Sequence, residues 1–269
     1  MDTNIWDQLS SYFNLHIQQQ GKAVCTIGGE ALTEKAVMHR FLTAYGEFIE
    51  AEELPVAAAY FVSWFGDVAA ALLYSVSVHN TAPNLTLANL QVHLTPEQGF
   101  TRIAFQLSED QLDHAPGERQ TIDWTVWREQ VFSRFYWDTV SPLLLCVSEA
   151  SGIQAGILWG QLPTALQNYR EKLQALLSTQ LSTQDNASLL SYLAEDDAFM
   201  CNELAPEAFG RSKNPLQAKV RFLDHPLEAG KKLAIKNTCC LQYKRTNRSY
   251  CYTCPRLSKQ DRMDWLQQG

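Results

Sequence analysis

Apolar residues in the first part of the chain recur at the three-to-four-residue spacing of an α-helix. The positions that follow this spacing are Val37, Phe41, Tyr45, Phe48 and Ile49. They predict a helix with one buried face. Thr33 is expected to cap this helix. Glu34 in the first turn favours the same start, because its negative charge interacts favourably with the positive end of the helix dipole.

An almost continuous apolar stretch follows from Pro55 to Val78. It is long enough to cross a bilayer, but Asp67 lies near its middle, where a charge costs roughly 3 kcal/mol on insertion scales. Gly66 and three serines make the stretch still less apolar. We therefore predict a helix buried in the protein core, with shallow association with a membrane as the alternative.

After Pro83 the apolar period changes from helical spacing to alternation. Apolar and polar residues alternate over residues 90–94, which predicts a half-buried strand with His93 on its solvated face. Residues 95–99 are predicted to form a turn, and residues 100–107 the returning strand. A polar loop is predicted to follow at 113–117.

Helical spacing then resumes. Helices are predicted at residues 124–137, 141–150 and 164–177. Pro142 suits the first turn of the second helix, and Gly152 suits the position just after its end. The polar residues 178–186 are predicted to connect this region to the last part of the chain.

The last part of the chain has a different character. Two short strands are predicted at 217–223 and 231–236, and the second leads towards a group of cysteines. Together these patterns predict an α+β fold with two parts. Residues 1–210 form a mainly helical body with a small antiparallel strand element, and residues 211–269 form a small module of β-hairpin and loops.

Composition and the N-terminal sequence narrow the class of protein. The chain has 269 residues, of which 46% are hydrophobic, and this excludes long disordered stretches. The N-terminal residues lack the basic and apolar regions of a secretory signal. We therefore expect a reducing cytoplasm, or the inner face of the cytoplasmic membrane. In that compartment, clustered cysteines indicate metal or redox chemistry rather than disulfides.

Charge is distributed unevenly between the two predicted parts. From Arg211 onward there are 13 basic and 4 acidic residues, whereas the preceding residues hold 9 basic and 25 acidic ones. The positive charge of a basic module on an acidic body can attract a nucleic acid or an anionic partner, or stabilise an anionic metal centre.

Four cysteines in this basic module carry the clearest chemical signal. They are Cys239, Cys240, Cys251 and Cys254, in the pattern Cys-Cys-x10-Cys-x2-Cys. The two-residue gap lets the last two sulfurs converge on one site. The vicinal pair needs a backbone bend, because neighbouring side chains of an extended chain point to opposite faces. We predict that all four bind one metal centre. The isolated Cys25, Cys146 and Cys201 are expected to bind none.

The spacing alone leaves two kinds of centre open. Zinc takes four thiolates in a structural site, usually from two pairs separated by two to four residues. A [2Fe–2S] cluster also takes four thiolates, although its ligands usually have wider spacings than a vicinal pair.

The cysteine pattern resembles that of the FhuF-type ferric-siderophore reductases. In that family the four positions bind a [2Fe–2S] cluster. Residues 214–216 (Asn-Pro-Leu), the sequence Cys-Cys-Leu-Gln-Tyr-Lys from Cys239, and the segment from Gly152 to Trp159 also resemble the family. The order of helices, strand pair, helices and cysteine module agrees as well.

The resemblance implies a one-electron ferric-siderophore reductase, with a body that binds the siderophore and no catalytic residue beyond the cluster. The residues expected to dock the substrate or the electron donor are Lys236, Lys244, Arg245, Arg248 and Trp159. The basic residues among them, with Arg256, would also stabilise an anionic cluster. No Gly-x-Gly-x-x-Gly motif for a bound dinucleotide occurs. The electron is therefore expected from a ferredoxin, a flavodoxin or a flavin reductase.

Two other functions compete with this interpretation. The first is a zinc-containing adaptor for nucleic acid or protein, favoured by the basic module but disfavoured by the acidic body. The second is an iron–sulfur sensor or electron carrier, which would not need about 200 additional residues. The reductase interpretation predicts no nucleic-acid partner.

Overall fold

The computed structural model describes residues 4–19, 21–97, 100–180 and 183–268. Its fold is α+β, as the sequence predicts. The helices in these ranges are α1 (Ile5–Phe13), α2 (Lys35–Phe48), α3 (Leu54–His79), α4 (Ile122–Arg134), α5 (Ser141–Ser151), α6 (Ala155–Trp159), α7 (Gln161–Gln180), α8 (Thr183–Ala198) and α9 (Lys259–Gln268). The strands are β1 (Leu15–His16), β2 (Cys25–Gly28), β3 (Thr81–Pro83), β4 (Leu90–Glu97), β5 (Phe100–Leu107), β6 (Leu112–His114), β7 (Phe222–Asp224) and β8 (Lys232–Ala234).

Helix α3 is the central element of the core. It is apolar on nearly all sides and packs against α1, α2, α5, α7 and α8, as expected of a helix whose surface is mostly hydrophobic. By length and a mean hydropathy of 1.6 it could cross a membrane, but 83% of its most apolar window is buried inside the molecule. The prediction of a buried core helix is confirmed.

Helix α7 approaches α3 very closely at one point. A Cβ atom added to Gly66 would lie only 2.3 Å from the Cβ atom of Ala165. The two backbones can therefore meet here only because position 66 has no side chain. This contact fixes how the rest of α7 lies along the core helix.

The predicted strand pair forms the centre of a four-stranded sheet with the order β1-β5-β4-β2. Strands β4 and β5 are antiparallel, with Leu90 opposite Leu107. Strand β4 continues to Glu97, so residues 95–97 of the predicted turn are strand, while residues 98–99 lie outside the described ranges. The solvated position predicted for His93 is wrong. This residue is 2% exposed, and its imidazole ring forms hydrogen bonds with Thr26 and Gln106 of the flanking strands.

Three further local predictions are corrected by the structure. Thr33 does not cap α2, because it belongs to a 3₁₀ turn and its hydroxyl donates to the Glu30 carbonyl. The predicted loop at 113–117 begins as strand β6, which pairs with β3. Most of the predicted connection at 178–186 is helical, since α7 reaches Gln180 and α8 begins at Thr183; residues 181–182 lie outside the described ranges.

The middle helices confirm the remaining predictions. Helix α4 leads into a π-helical turn, Phe135–Val140, and then into α5. Helix α5 ends at Ser151, and Gly152 after it has the left-handed φ of 74° expected just after a helix. Helix α7 begins three residues before its predicted start.

The C-terminal segment forms the β7–β8 hairpin, a loop region with the cysteines, and α9. Both strands are shorter than predicted. The segment is joined to the helical body by backbone hydrogen bonds from Glu52 to Lys244 and from Thr246 to Glu50. The division into two parts at residue 211 stays a prediction.

Candidate metal centre

The vicinal cysteines are held against the start of α7. The Thr238 hydroxyl donates to the Ile157 carbonyl at 2.9 Å and accepts from the Gln161 amide at 2.8 Å. Gly160 makes this contact possible, because a Cβ there would lie 2.2 Å from the Thr238 methyl group. The segment before Cys239 is therefore fixed by close packing as well as by hydrogen bonds.

A backbone bend follows the vicinal pair directly. Leu241 has a left-handed conformation with φ of 60°, which L-residues other than Asn and Asp adopt rarely. The chain then enters a 3₁₀ turn, Gln242–Lys244. This is the bend that the Cys-Cys sequence requires if both sulfurs are to reach one centre.

The Cys251–Cys254 loop is organised by one buried arginine that the sequence analysis missed. The Cys254 amide donates to the Cys251 carbonyl at 2.9 Å and closes the turn. The guanidinium of Arg262, from α9, donates to the carbonyls of Cys254 at 2.7 Å and of Tyr252 at 3.1 Å. Nothing in the sequence distinguishes Arg262 from the other basic residues of the segment.

The fold brings the four sulfurs together in two pairs. The sulfurs of Cys239 and Cys254 lie 3.8 Å apart, and the Cys251 thiol donates a hydrogen bond to the Cys240 sulfur. The pairs are adjacent, because Cys239 also interacts electrostatically with Cys240. Two thiolates on one tetrahedral metal, each about 2.3 Å from it, would lie about 3.8 Å apart. The spacing of the first pair therefore fits two ligands of one metal.

The arrangement in pairs bears on the kind of centre. Within the described ranges, no three or more His, Cys, Asp or Glu side chains converge as ligands of one ion. Two adjacent thiolate pairs suit a binuclear centre in which each metal takes two cysteines, as in a [2Fe–2S] cluster. A single zinc ion would require all four thiolates to converge on one point.

Lys236 supplies positive charge directly at this site. Its ammonium nitrogen lies 3.0 Å from the Cys240 sulfur. Burial lowers the pKa of Lys236, but the sulfurs of Cys240 and Cys251 offset this and the pKa lies above its ordinary value. The Cys251 hydrogen bond and the Lys236 charge outweigh burial and lower the pKa of Cys240 to about 5. The lowered pKa favours the thiolate form of Cys240, which is the form that binds metals.

Two further cysteines of the site, Cys239 and Cys251, have environments that favour the thiol form. Burial raises the pKa of Cys239. The hydrogen bond that Cys251 donates to Cys240, together with burial, raises the pKa of Cys251 far above its ordinary value. Metal binding at these positions must therefore release protons.

The other predicted docking residues have different surroundings. Lys244 pairs with Glu53, and the Arg245 guanidinium donates to the Ile49 carbonyl, so both connect the segment to the body. Arg248 is exposed. Arg256 donates to the Tyr243 hydroxyl at 2.8 Å.

Trp159 does not lie on a surface. Its side chain is 4% exposed and packs edge-on against Phe209, which contradicts the docking role predicted for it. Trp64, in contrast, borders a cavity between α3 and α7. The four paired sulfurs do not include those of Cys25, Cys146 or Cys201. The Cys201 sulfur lies 3.8 Å from an Asp197 oxygen instead.

A cavity of about 430 Å³ lies between helices α3 and α7. Its α3 wall is formed by Tyr60, Ser63, Trp64 and Asp67. Its α7 wall is formed by Ala165, Asn168, Tyr169 and Lys172. Both sets follow the i, i+3, i+4, i+7 spacing of one helix face. In the sequence, these α3 positions form a less apolar face within an otherwise apolar helix, and this face was the signal that could have identified the cavity.

Tyr60 connects the cavity to the cysteine segment. Its hydroxyl oxygen lies 3.5 Å from Gln242 Oε1 and 3.5 Å from Arg245 Nη1. Burial raises the pKa of Tyr60, and the nearby Cys240 raises it further. Tyr60 thus stands between the cavity and the Cys240 side of the candidate centre.

No protein-family model matches this chain, and no curated protein matches it significantly. The functional argument therefore depends on the geometry of the site and on the cysteine pattern.

Proposed function

We propose that this protein is a ferric-siderophore reductase that uses a [2Fe–2S] cluster bound by Cys239, Cys240, Cys251 and Cys254. The observation that carries the proposal is the arrangement of these sulfurs in two adjacent pairs with a lysine ammonium 3.0 Å from one of them. The cysteine pattern resembles that of the FhuF-type reductases and supports the same conclusion.

The proposed reaction transfers one electron. A bound [2Fe–2S] cluster supplies one-electron chemistry. A reduced ferredoxin, flavodoxin or flavin reductase gives up one electron, and the iron of the chelate goes from Fe(III) to Fe(II). Oxygen-donor siderophores hold Fe(II) far less tightly, so the metal is released. The chemistry needs no nucleophile from the protein.

The residues of the chain have distinct tasks in this proposal. The four thiolates hold the centre, and Lys236 offsets the negative charge that increases on reduction. The contacts of Arg262 and Thr238 hold the two cysteine segments in position relative to each other. Lys244 and Arg245 hold the segment against the helical body.

Metal analysis and spectroscopy test the centre. Protein purified without oxygen should contain about two iron and two acid-labile sulfide per chain, with the visible and EPR spectra of a [2Fe–2S] centre. Serine at any one of the four cysteine positions should reduce the iron and sulfide content, whereas the control Cys201→Ser should leave both unchanged. Zinc without sulfide would refute the proposal and favour the adaptor function.

Rapid mixing tests the reaction. Reduced protein is mixed with a ferric siderophore, and reoxidation is followed by its visible spectrum. We expect fast reoxidation by the ferric chelate and none by the corresponding Ga(III) chelate, because gallium accepts no electron. Iron–sulfur protein that ferric chelates do not reoxidise would indicate a sensor or carrier instead.

A further inference from the structure

A narrow groove lies between the start of α7 and the β7–β8 hairpin, and we call it the basic groove. It is lined by Pro163, Thr164 and Gln167 of α7 and by residues 219–221 and 234–237 of the C-terminal segment. Two backbone amides fix its walls: that of Ile235 donates to the Arg221 carbonyl at 2.7 Å, and that of Asn237 donates to the Thr164 hydroxyl at 2.9 Å. The basic groove is therefore a built part of the surface.

One residue of the basic groove reaches the candidate centre. Lys236 lines the groove, and its ammonium nitrogen lies 3.0 Å from the Cys240 sulfur. A partner seated on the groove would therefore be separated from this sulfur by a single side chain. An electron that enters the molecule here has a short way to the centre.

The basic groove carries positive charge that no carboxylate in its walls offsets. Among its described lining residues, Lys219, Arg221 and Lys236 are basic and none is acidic. Lys219 and Arg221 are exposed, and the salt bridges described for the C-terminal segment involve other residues. Residues 211–223 hold four basic and no acidic residues. This part of the surface therefore attracts negatively charged groups.

The space inside the basic groove is small. Its volume is about 20 Å³, which holds about one water-sized group, whereas pockets for organic ligands usually have about 300 Å³ or more. The carboxylate of an aspartate or glutamate side chain can enter, but a flavin, a nucleotide or a metal chelate cannot. The groove therefore suits contact with an acidic protein surface.

The rest of the molecule disfavours an extended polyanion as the partner. The residues before Arg211 include 9 basic and 25 acidic ones, so a nucleic acid or an anionic membrane that extends past the groove would meet a negatively charged body. A carrier protein covers less surface, because transient electron-transfer complexes bury less than about 1,200 Å² in total. A compact acidic partner fits this charge distribution best.

We propose that the basic groove is the docking site of the electron donor, and that this donor is a small protein with an acidic surface next to its own redox group. The reduced donor loses one electron, and the centre bound by the four cysteines gains it. Lys219 and Arg221 steer the acidic surface of the donor into the groove. The inference rests on the proposed function and adds to it the class of the donor and its place of docking.

Rapid mixing with an acidic flavodoxin tests the docking site. Flavodoxin reduced to the hydroquinone is mixed with the oxidised protein, and the one-electron transfer is followed by the visible absorbance of the flavin semiquinone. The second-order rate constant should fall at least about tenfold from low to high salt, because salt screens the attraction between the two surfaces.

Two charge reversals locate the docking site. Arg221→Glu should lower the rate constant at low salt at least about tenfold. Arg40→Glu, at an exposed position of α2, makes the same change in net charge away from the groove and should leave the rate constant within about twofold of wild type. Reduced methyl viologen, a small cation that needs no docking site, should reduce Arg221→Glu at least as fast as wild type, which shows that the centre of the variant is intact.

The outcomes separate docking from the reductase function. Equal rates for Arg221→Glu and wild type, or equal losses in Arg221→Glu and Arg40→Glu, would overturn the docking site even if ferric chelates reoxidise the centre. A rate that does not depend on salt would overturn the acidic class of the donor. Protein that flavodoxin reduces through the groove but that ferric chelates do not reoxidise would leave the docking site standing and refute the reductase function. Protein without an iron–sulfur centre would overturn both.

Discussion

The ammonium group of Lys236 differs from the other basic groups of the C-terminal segment because it lies in contact with a cysteine sulfur. Lys244 and Arg245 contact the body instead, and Arg248 is exposed. The positive charge in direct contact with a sulfur therefore lies at Cys240, whereas the Arg262 guanidinium contacts the Cys254 carbonyl. At the scale of single residues, this asymmetry is the main electrostatic feature of the candidate centre.

Replacing Lys236 by methionine should lower the reduction potential of the centre. A unit charge about 5 Å from the added electron contributes roughly 3 kcal/mol at an effective dielectric constant of about 20. For a one-electron couple we therefore expect a decrease on the order of 100 mV. The potential is measured by redox titration followed by EPR.

Lys232→Met is the control for this variant, because Lys232 is exposed and pairs with Asp224 rather than with a sulfur. Its potential should remain close to that of wild type. Equal potentials for Lys236→Met and wild type would contradict the role assigned to Lys236.

The carboxyl group of Asp67 should make the stability of the protein depend on pH. Burial raises the pKa of Asp67 from 3.8 to about 7, although the Tyr169 hydrogen bond and the Lys172 charge oppose this. The folded state keeps this proton up to about pH 7, whereas the unfolded chain releases it near pH 4. The contribution of Asp67 to the free energy of unfolding should therefore fall as the pH rises between these values, by up to about 1.4 kcal/mol per unit.

Asp67→Asn should remove this contribution. Urea denaturation at pH 5 and at pH 7 should show a smaller loss of stability for the variant than for wild type. Asp110→Asn, which changes an exposed carboxyl, should retain the wild-type difference between the two pH values. A variant with the same pH dependence as wild type would show that Asp67 is ionised in the folded protein throughout this range.

Individual site residues differed in how well the sequence could predict them. The spacing of the four cysteines and the need for a bend at the vicinal pair are visible in the sequence. The pairing of Cys239 with Cys254 is not, because it depends on the left-handed Leu241. His93 was placed on the correct face of its strand, but alternation does not reveal that Thr26 and Gln106 cover that face.

At the scale of secondary-structure elements, the close approach of α6, α7 and the cysteine segment depends on Gly160. Its backbone φ of −70° is open to any residue, so alanine at this position would meet only the steric clash with Thr238. The substitution Gly160→Ala should cost about 1 to 3 kcal/mol of stability, as overpacking typically does. It should also displace Cys239 and lower the iron content of the purified protein.

Two further variants make this prediction specific. Thr238→Ser removes the methyl group nearest to position 160 but keeps the hydroxyl that bonds Ile157 and Gln161. Combined with Gly160→Ala it should restore part of the lost stability and iron. Gly156→Ala, where an added Cβ meets nothing within 4 Å, should behave as wild type. A loss in Gly156→Ala equal to that in Gly160→Ala would exclude the steric explanation.

Whole elements were predicted best where the sequence signal was long or strictly periodic. Helix α3 and the β4–β5 pair were predicted for these reasons. Helix α8 was missed because its polar start, with Thr183 and Gln184, has the composition of a linker. The face of α3 that lines the cavity was present in the sequence as polar positions spaced seven residues apart, but its partner face on α7 becomes recognisable only when the helices pack.

At the scale of the whole molecule, the C-terminal segment and the helical body should unfold together. The segment is tied to the body by backbone hydrogen bonds at Glu50 and Glu52 and by the contacts of Thr238 with α6 and α7. The visible colour of the centre and the helical circular dichroism should therefore disappear at the same urea concentration. Measurement of both signals in one anaerobic titration checks this.

Two separate transitions would contradict this expectation and favour an independent module from residue 211 onward. In that case the colour would be lost while most of the helical signal remained. The comparison should be made at a constant protein concentration, so that association between molecules does not shift one transition relative to the other.

Within about three turns, helix α7 contacts both the segment before the vicinal cysteines and the cavity between α3 and α7. Gln161 and Thr164 hold the segment before the vicinal cysteines, and Tyr169 and Lys172 border the cavity. Two sites on one helix are subject to reciprocity: if reduction of the centre changes the affinity of the cavity for a ligand tenfold, binding of that ligand must change the redox equilibrium by the same factor. For one electron that factor corresponds to about 59 mV. The concentration of that ligand would then change how readily the protein accepts an electron from its donor.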